Sequence, residues 1–286
     1  MQKKKPRKSK KKKKNYFLSR FLDLSTASGR KKKTRMIRFL STVFHWTMVA
    51  VFVVLIYQVF VEDITLGNIN FENKTASASL YKKKLKEIEK QEIKLRKDYA
   101  KAGDWRARKK VIKAGEKHLF TAINDELFSF WYGTPWDYNG TTQIPNTGKI
   151  ACGYFVSTIL RDAGFNVDRV SLARQTSENI VKSLTPSNEI KRFRRSTIKY
   201  FVETVVGMGD GVYVVGLDTH VGFMIVKNKK ARFVHASKTY VNGVKSENPF
   251  KSKTLIRSKY KVVGKVFNEK LMQTWLEDRR IPTKTL

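Results

Sequence analysis

Apolar residues follow several patterns along this chain, and the first of them predicts a membrane-spanning helix. Residues 39–61 form a run of 23 positions without a formal charge. As an α-helix this run is about 34 Å long, which is enough to cross a bilayer. It ends without the small residues of a signal-peptidase site. We therefore predict an uncleaved transmembrane helix over 39–61.

The next segment predicts a linker followed by a stalk helix, which together occupy 62–112. Residues 62–79 are polar and aperiodic, which is typical of a linker. The following positions, which run to residue 101, are spaced alternately four and three apart: Tyr81, Leu85, Ile88, Glu92, Leu95 and Tyr99. This spacing fits a weak coiled-coil seam interrupted by Glu92, or a charged helix that packs on the following domain. We favour the packed helix.

A third set of patterns predicts one α+β domain over 113–286. An amphipathic helix is expected up to Trp131, where Gly133 and Pro135 end it, and another is expected from about Cys152 to Ala163. Helical sequence is also expected over 171–206 and 268–280. Short apolar runs predict strands at 211–217, 220–227, 231–236 and 261–267. The second and third runs flank a turn-like Lys-Asn-Lys-Lys segment, so they should pair as an antiparallel hairpin.

The charge of the chain is concentrated at its N-terminus. Of the formal net charge of +35, residues 1–38 contribute +16, with seventeen Lys and Arg and only Asp23 against them. A basic segment before a transmembrane helix predicts a cytoplasmic tail, with the rest of the chain outside the cytoplasm. We therefore expect a single-pass inner-membrane protein whose tail contacts anionic lipid head groups. The tail contains no recognisable nucleic-acid-binding module, so we expect no dedicated nucleic-acid partner.

Cys152 is the only cysteine, so the chain forms no intramolecular disulfide. It falls where a Gly-containing loop turns into a predicted helix. Unpaired backbone N–H groups and the helix dipole favour thiolate at such a position, which makes Cys152 a candidate nucleophile. The adjacent Gly153 allows another chain segment or a substrate to come close.

Two histidines supply the remaining parts of a cysteine-dependent site. His220 begins one predicted apolar strand, and His235 lies on the next. A thiol nucleophile needs a base to take its proton and a third polar group to orient that base. We predict His220 as the base and His235 as the orienting group, although the strand register is open. Because these residues lack a fourth ligand, we expect neither a metal nor another cofactor.

The stretch from about 117 to 237 resembles the NlpC family of cell-wall cysteine peptidases, which have a papain-like α+β fold with an antiparallel sheet packed on helices. Five segments carry the resemblance, in the family's order: 133–140 (GTPWDYNG), 152–156 (CGYFV), 209–210 (GD), 220–222 (HVG) and 233–237 (FVHAS). The resemblance implies a Cys-His-His site that cleaves amide bonds, with peptidoglycan stem peptides or another peptide-containing envelope substrate as the target.

The sequence departs from the family's pattern beside the nucleophile. Ala151 and Gly153 replace the usual Asp and Ser, and Trp136 stands where many members have Tyr. These changes bear on the identity of the substrate more than on catalysis. Two alternatives stay open: an acyltransferase or another thioester-forming enzyme on the same fold, and a binding module without catalysis.

Overall fold

The computed structural model describes residues 27–238 and 243–283, with side chains described outside 27–30 and 58–76. The chain divides into two compact units, Met1–Asn70 and Phe71–Leu286. Most of the predicted basic tail, up to residue 26, lies outside the described residues.

Helix α1 (Ala27–Lys101) contains the predicted apolar segment. Its stretch Lys31–Tyr57 is long and apolar enough to span a membrane. Large apolar side chains along it are solvent-exposed, including Phe39 (68%), Trp46 (67%) and Phe52 (64%). A core helix of a soluble protein would bury such side chains, whereas a membrane-spanning helix presents them to lipid. The predicted N-terminal apolar helix is therefore present.

The structure differs from the sequence prediction at 62–79, which we expected to be a linker. This segment lies inside α1 and is helical. It contains no proline and a single glycine, Gly67, so no strong helix breaker interrupts it. A polar segment without periodicity cannot form an amphipathic helix. Polarity alone, however, does not end a helix.

The C-terminal part of α1 packs on the domain, as the spacing of its apolar residues indicates. Tyr81, Ile88, Leu95 and Tyr99 are buried in the main hydrophobic core. These residues therefore belong to the second compact unit, which begins at Phe71.

Glu92 is tolerated in this buried seam because it is paired. Its carboxylate lies 2.8 Å from Arg96, whose guanidinium also contacts Asp278 at 3.0 Å. Gly164 leaves the space that the Glu92 side chain occupies, since a Cβ there would overlap the carboxylate. Burial raises the pKa of Glu92 to about 7.

The second unit contains eight further α-helices within the described ranges. They are α2 (Trp105–Thr121), α3 (Phe128–Trp131), α4 (Cys152–Asp162), α5 (Arg169–Ala173), α6 (Ser177–Leu184), α7 (Ile198–Gly207), α8 (Lys253–Arg257) and α9 (Glu269–Leu276). A π-helical turn, Ala122–Leu127, joins α2 to α3, and a short 3₁₀ turn, Pro249–Lys251, precedes α8.

Six antiparallel strands form one sheet in the order β1-β6-β2-β3-β4-β5. The strands are β1 (Lys191–Arg194), β2 (Gly211–Leu217), β3 (Val221–Lys227), β4 (Lys230–Ser237), β5 (Gly243–Glu247) and β6 (Tyr260–Lys265). The predicted α+β class and the four predicted strands are confirmed.

The predicted hairpin is β3–β4, in which Lys227 pairs with Lys230. The two residues between them, Asn228 and Lys229, both have positive φ, at 52° and 58°. A two-residue turn with both φ values positive matches the twist of paired strands, which fixes the register of this hairpin.

Both edge strands were missed by the sequence patterns. β1 lies in 171–206, where we expected only helices, and β5 was not predicted at all. Their sequences, Lys-Arg-Phe-Arg and Gly-Val-Lys-Ser-Glu, are largely polar because an edge strand keeps one side in solvent. Only pairing with β6 and β4 defines them as strands.

Helices cover the sheet on both faces. Helices α1 to α6 and α9 enclose the larger core with one face, while α7 and α8 enclose a smaller core with the other. Burial on both faces explains why β2 is apolar throughout and does not alternate.

Candidate functional site

Cys152 is the first residue of α4, as predicted, and the end of this helix is uncapped. The preceding residue, Ala151, has an extended backbone and no capping side chain. In contrast, a side-chain oxygen caps each of α2 and α5 to α9: Asp104, Asp168, Thr176, Thr197, Ser252 and Asn268. The first backbone N–H groups of α4 therefore stay available to a ligand or to the thiol.

Gly153 lets α5 approach the N-terminus of α4. A Cβ on Gly153 would lie 2.3 Å from the carbonyl oxygen of Ala173, at the end of α5. The close approach expected at this glycine is therefore made by the protein's own backbone. A serine, the residue usual in the resembled family, would not fit here without displacing α5.

The loop before Cys152 is held in place from both ends. Gly133 and Thr134 exchange two backbone hydrogen bonds with Val244 of β5, each 2.9 Å long. The Ala151 N–H donates to the carbonyl of Gly140 at 2.8 Å. These bonds tie the loop to the sheet and to the start of α4, which fixes where the thiol emerges.

The side chain of Arg169 holds the same loop in place through hydrogen bonds. Its buried guanidinium donates to the carbonyl oxygens of Thr141 and Thr142, both at 2.9 Å, and to the Thr158 hydroxyl at 2.7 Å. It also lies over the ring of Tyr154 at 4.8 Å. Charge-assisted bonds of this kind stabilise an irregular loop strongly.

Trp136, at the position where the resembled family often has Tyr, lies in this loop and pairs through its backbone with Ile150. Its indole Nε1 is buried and has no hydrogen-bond partner within 27–238 and 243–283. A buried donor without a partner is costly, so this N–H is one that a ligand could satisfy.

The Cys152 thiol faces the start of β3. The backbone N–H groups of Val221, Gly153 and Cys152 itself lie within hydrogen-bonding reach of the sulfur and lower its pKa. Burial raises the pKa more strongly, so the net shift is upward. The sequence expectation that the helix N-terminus favours thiolate is therefore corrected: in this environment the resting thiol is neutral.

His220 lies in the β2–β3 loop, immediately before Val221. Its carbonyl accepts from the Leu217 N–H at 2.8 Å, which closes the loop. Asp218 holds the loop against the neighbouring segment, where its carboxylate accepts from the Lys259 N–H at 2.7 Å and the Tyr260 N–H at 3.1 Å. His220 is thus placed by backbone geometry.

His220 and His235 are in direct contact. The Nε2 of His220 lies 2.8 Å from the Nδ1 of His235, and the rings are nearly perpendicular at 86°. Gly222 makes this possible, since a Cβ there would lie 2.8 Å from the Cβ of His235 and 2.9 Å from the Phe233 ring. The register left open by the sequence thus places both imidazoles on one face.

Glu247 contacts His235 and so extends the series of contacts that begins at His220. It was not identified from the sequence. Its Oε1 lies 3.1 Å from the Nε2 of His235, and its other oxygen is 3.3 Å from the Lys245 ammonium. Because β5 pairs with β4, Glu247 is brought next to His235. Its only sequence signal is an acid in a polar segment, which is indistinguishable from an ordinary surface position.

The protonation states of the three groups follow from their surroundings. Burial, with the neighbouring His235, lowers the pKa of His220 to about 3, and burial also lowers the pKa of His235. Burial acts to raise the pKa of Glu247, but hydrogen bonds from His235 and Ser252 outweigh it and lower that pKa to about 2. At neutral pH both rings are therefore neutral and the carboxylate is ionised.

These states define the tautomers. An ionised Glu247 only accepts, so His235 must carry its proton on Nε2. Its Nδ1 is then an acceptor, which requires His220 to carry its proton on Nε2. The Nδ1 of His220 is left without a proton and is the ring nitrogen that can act as a base.

The structure thus places the Cys152 thiol against Val221, which directly follows His220, and places His235 in contact with His220. The described residues show no direct hydrogen bond between the thiol and the His220 ring. Catalytic contacts often tighten only when a substrate is bound.

Comparison of this chain with protein-family models, with curated proteins and with solved structures finds no match.

Proposed function

We propose that the protein is a membrane-anchored cysteine hydrolase with a papain-like, NlpC-type domain that cleaves an amide bond in the stem peptides of peptidoglycan. The observation that carries the proposal is the hydrogen-bonded series from Glu247 through His235 to His220, beside a thiol at an uncapped helix N-terminus. Such a series orients a base without consuming the nitrogen that must accept the thiol proton.

The reaction begins with a neutral thiol and a neutral imidazole. Nδ1 of His220 takes the proton as the Cys152 sulfur attacks the amide carbon. His220 then donates that proton to the leaving nitrogen, the amine departs and a thioester remains. Water, deprotonated by His220, attacks the thioester, releases a carboxylic acid and restores the thiol.

The helix N-terminus supplies the second part of the chemistry. The backbone N–H groups of Cys152 and Gly153 have no capping side chain to compete with a substrate. When the amide oxygen becomes an oxyanion, these groups can donate to it, as preorganised dipoles in a site shielded from water. The buried Trp136 N–H is a further donor on the adjacent loop.

The anchor supports a location at the cell envelope. A basic N-terminal segment followed by an apolar helix and Glu62-Asp63 favours a cytoplasmic tail and an external domain. In this orientation the tail contacts anionic lipid head groups, and the domain is on the side of the membrane where peptidoglycan lies.

The test is digestion of purified peptidoglycan by the full-length protein in detergent, with mass spectrometry of the released fragments. We expect a fragment that ends in a newly exposed amine or carboxyl group, absent with Cys152→Ala and strongly reduced with His220→Gln. Identical products from the wild type and Cys152→Ala would refute the proposal.

Two alternatives remain distinguishable in the same assay. An acyltransferase would give products joined to an added amine acceptor, since it shares the thioester intermediate. The raised pKa of the Cys152 thiol is the observation that favours a binding module without catalysis. Such a module would bind peptidoglycan equally well as wild type and as Cys152→Ala, and would release no fragments.

A further inference from the structure

A cavity adjoins His220 at the β2–β3 loop. It measures about 200 Å³ and lies between the β2–β3 loop and α8, with Thr219, His220, Lys253 and Arg257 on its walls. Cys152 is not among its lining residues. If each water occupies about 30 Å³, the cavity has room for roughly six or seven waters, or a small amino-acid residue.

The walls of the cavity are positively charged. Lys253 and Arg257 are four residues apart on α8 and therefore lie on the same helix face. The Arg257 guanidinium has no hydrogen-bond or ion-pair partner among residues 27–238 and 243–283. Its planar fork is suited to bidentate recognition of a carboxylate.

The one acidic residue on these walls, Asp218, does not neutralise Arg257. Its carboxylate accepts from the Ser258 hydroxyl at 2.9 Å and from the backbone N–H groups of Lys259 and Tyr260. These bonds turn it toward the backbone of the neighbouring segment and hold its pKa below the ordinary value, although burial opposes this. The positive charge of Arg257 is therefore left for a ligand.

We propose that this cavity binds a carboxylate of the leaving-group half of the substrate, an inference that rests on the proposed hydrolase function. His220 gives its proton to the leaving nitrogen, so the leaving fragment must lie beside that ring. The cavity shares His220 with the reaction centre and lacks Cys152, so it faces the leaving fragment and not the acyl fragment. The preferred substrate therefore carries a free carboxylate shortly after the scissile bond, held by Arg257 with Lys253 beside it.

The first test uses D-alanine as a carboxylate probe and D-alaninamide as its neutral counterpart, with the full-length protein in detergent. The chain has 4 histidines, so ¹³C-labelled imidazole signals are few, and His220→Gln assigns the signal of interest. We expect the His220 signal to shift saturably with D-alanine. At the same concentration and at low ionic strength, D-alaninamide should give a shift about five or more times smaller.

Matched variants connect the shift to the cavity. Arg257→Gln should weaken the response to D-alanine by about fivefold or more, Arg257→Lys should retain part of it, and Lys199→Gln should leave it unchanged. Lys199 lies on α7, is not among the residues that line the cavity and is 76% exposed, so its removal changes the net charge without touching the cavity. Equal responses to both probes, or an unchanged response in Arg257→Gln, would overturn the proposal.

The second test separates this proposal from the proposed function. On native peptidoglycan, Arg257→Gln should raise KM with little change in kcat, and amidation of the peptidoglycan carboxylates should remove the difference between Arg257→Gln and wild type. If peptidoglycan is cleaved but neither Arg257→Gln nor amidation alters KM, the proposed carboxylate site is wrong and the proposed hydrolase function is retained. If D-alanine binds as expected but no preparation of peptidoglycan is cleaved, the proposed hydrolase function is wrong and the cavity is retained as a carboxylate-binding site.

Discussion

The carboxylate of Glu247 determines the proton positions on two imidazole rings. It accepts from His235, which in turn accepts from His220, so a change at Glu247 is transmitted to the base without any contact with the reacting atoms. Residues of this kind orient catalytic groups and stabilise the charge that forms on them.

We predict that Glu247→Gln lowers kcat/KM about 10- to 100-fold while changing the melting temperature little. A glutamine oxygen can still accept from His235, but the negative charge that stabilises a protonated His220 is gone. The measurement is steady-state hydrolysis with the folded fraction checked by thermal melting.

Glu178→Gln is the matched control for that change. Glu178 also has a pKa lowered to about 2, through hydrogen bonds from Tyr260, Lys182 and Arg192, but it contacts neither histidine. Equal losses of activity in both variants would show that Glu247 acts only through stability. His235→Ala is a poorer test, because His235 is fully buried and stacks on Phe233 at 4.3 Å, so its loss also unfolds the domain in part.

The raised pKa of Cys152 predicts the pH dependence of its alkylation. Burial disfavours the thiolate, so labelling by iodoacetamide should rise only above the ordinary thiol pKa of about 8.5. The rate should fall further in His220→Ala, which lacks the base. An alkylation profile with a midpoint near pH 7 would contradict this environment and indicate a preformed thiolate–imidazolium pair.

The lowered pKa of His220 predicts a loss of stability in acid. In the unfolded chain this ring takes up a proton below about pH 6.5, while the folded ring, with a pKa of about 3, stays neutral. The unfolded state therefore binds more protons, and the free energy of unfolding falls by roughly 2 kcal/mol between pH 6.5 and 5 from this residue.

Chemical denaturation of wild type and His220→Gln across this pH range measures that contribution as the difference between the two proteins. Other groups, including Glu92 with its raised pKa, titrate in both and cancel. If the two curves run parallel between pH 6.5 and 5, His220 is not buried in its neutral form.

Among the elements, the packing of α4 against α5 determines the position of the Cys152 thiol. We predict that Gly153→Ala costs about 1–3 kcal/mol of stability and most of the activity, because the added methyl meets the Ala173 carbonyl and displaces the start of α4. Denaturant unfolding and the hydrolysis assay measure the two effects.

Gly207→Ala is the control for the same chemical change. Gly207 is the last residue of α7 and has no atom within 4 Å of the position that a Cβ would take. Its replacement should leave stability unchanged or raise it by up to about 1 kcal/mol, through the better helix propensity of alanine. A Gly153→Ala protein as stable and active as Gly207→Ala would show that α5 moves freely.

At the scale of the whole molecule, the charge asymmetry predicts the topology. A reporter active only outside the cytoplasm, fused after Leu286, should give signal, and a reporter that fluoresces only in the cytoplasm should not. Replacing the Lys and Arg residues of 1–38 by Gln should weaken this preference. The opposite pattern of reporter activity would place the domain in the cytoplasm and remove peptidoglycan as a substrate.

Features that depend on neighbours along the chain were predictable from the sequence. The apolar run, the helix that begins at Cys152 and the hairpin around Asn228-Lys229 are all specified by local patterns. The buried face of α1 was also predictable from the sequence, because residues three and four positions apart lie on the same face of a helix.

Features that depend on contacts between distant segments of the chain were visible only in the folded structure. Edge strand β5 has too few apolar residues to be recognised, yet its pairing with β4 places Glu247 on His235. The pKa of Cys152 likewise depends on burial by other elements, which outweighs the local effect of the helix N-terminus. Burial and strand pairing join residues far apart in the chain, so no local pattern records them.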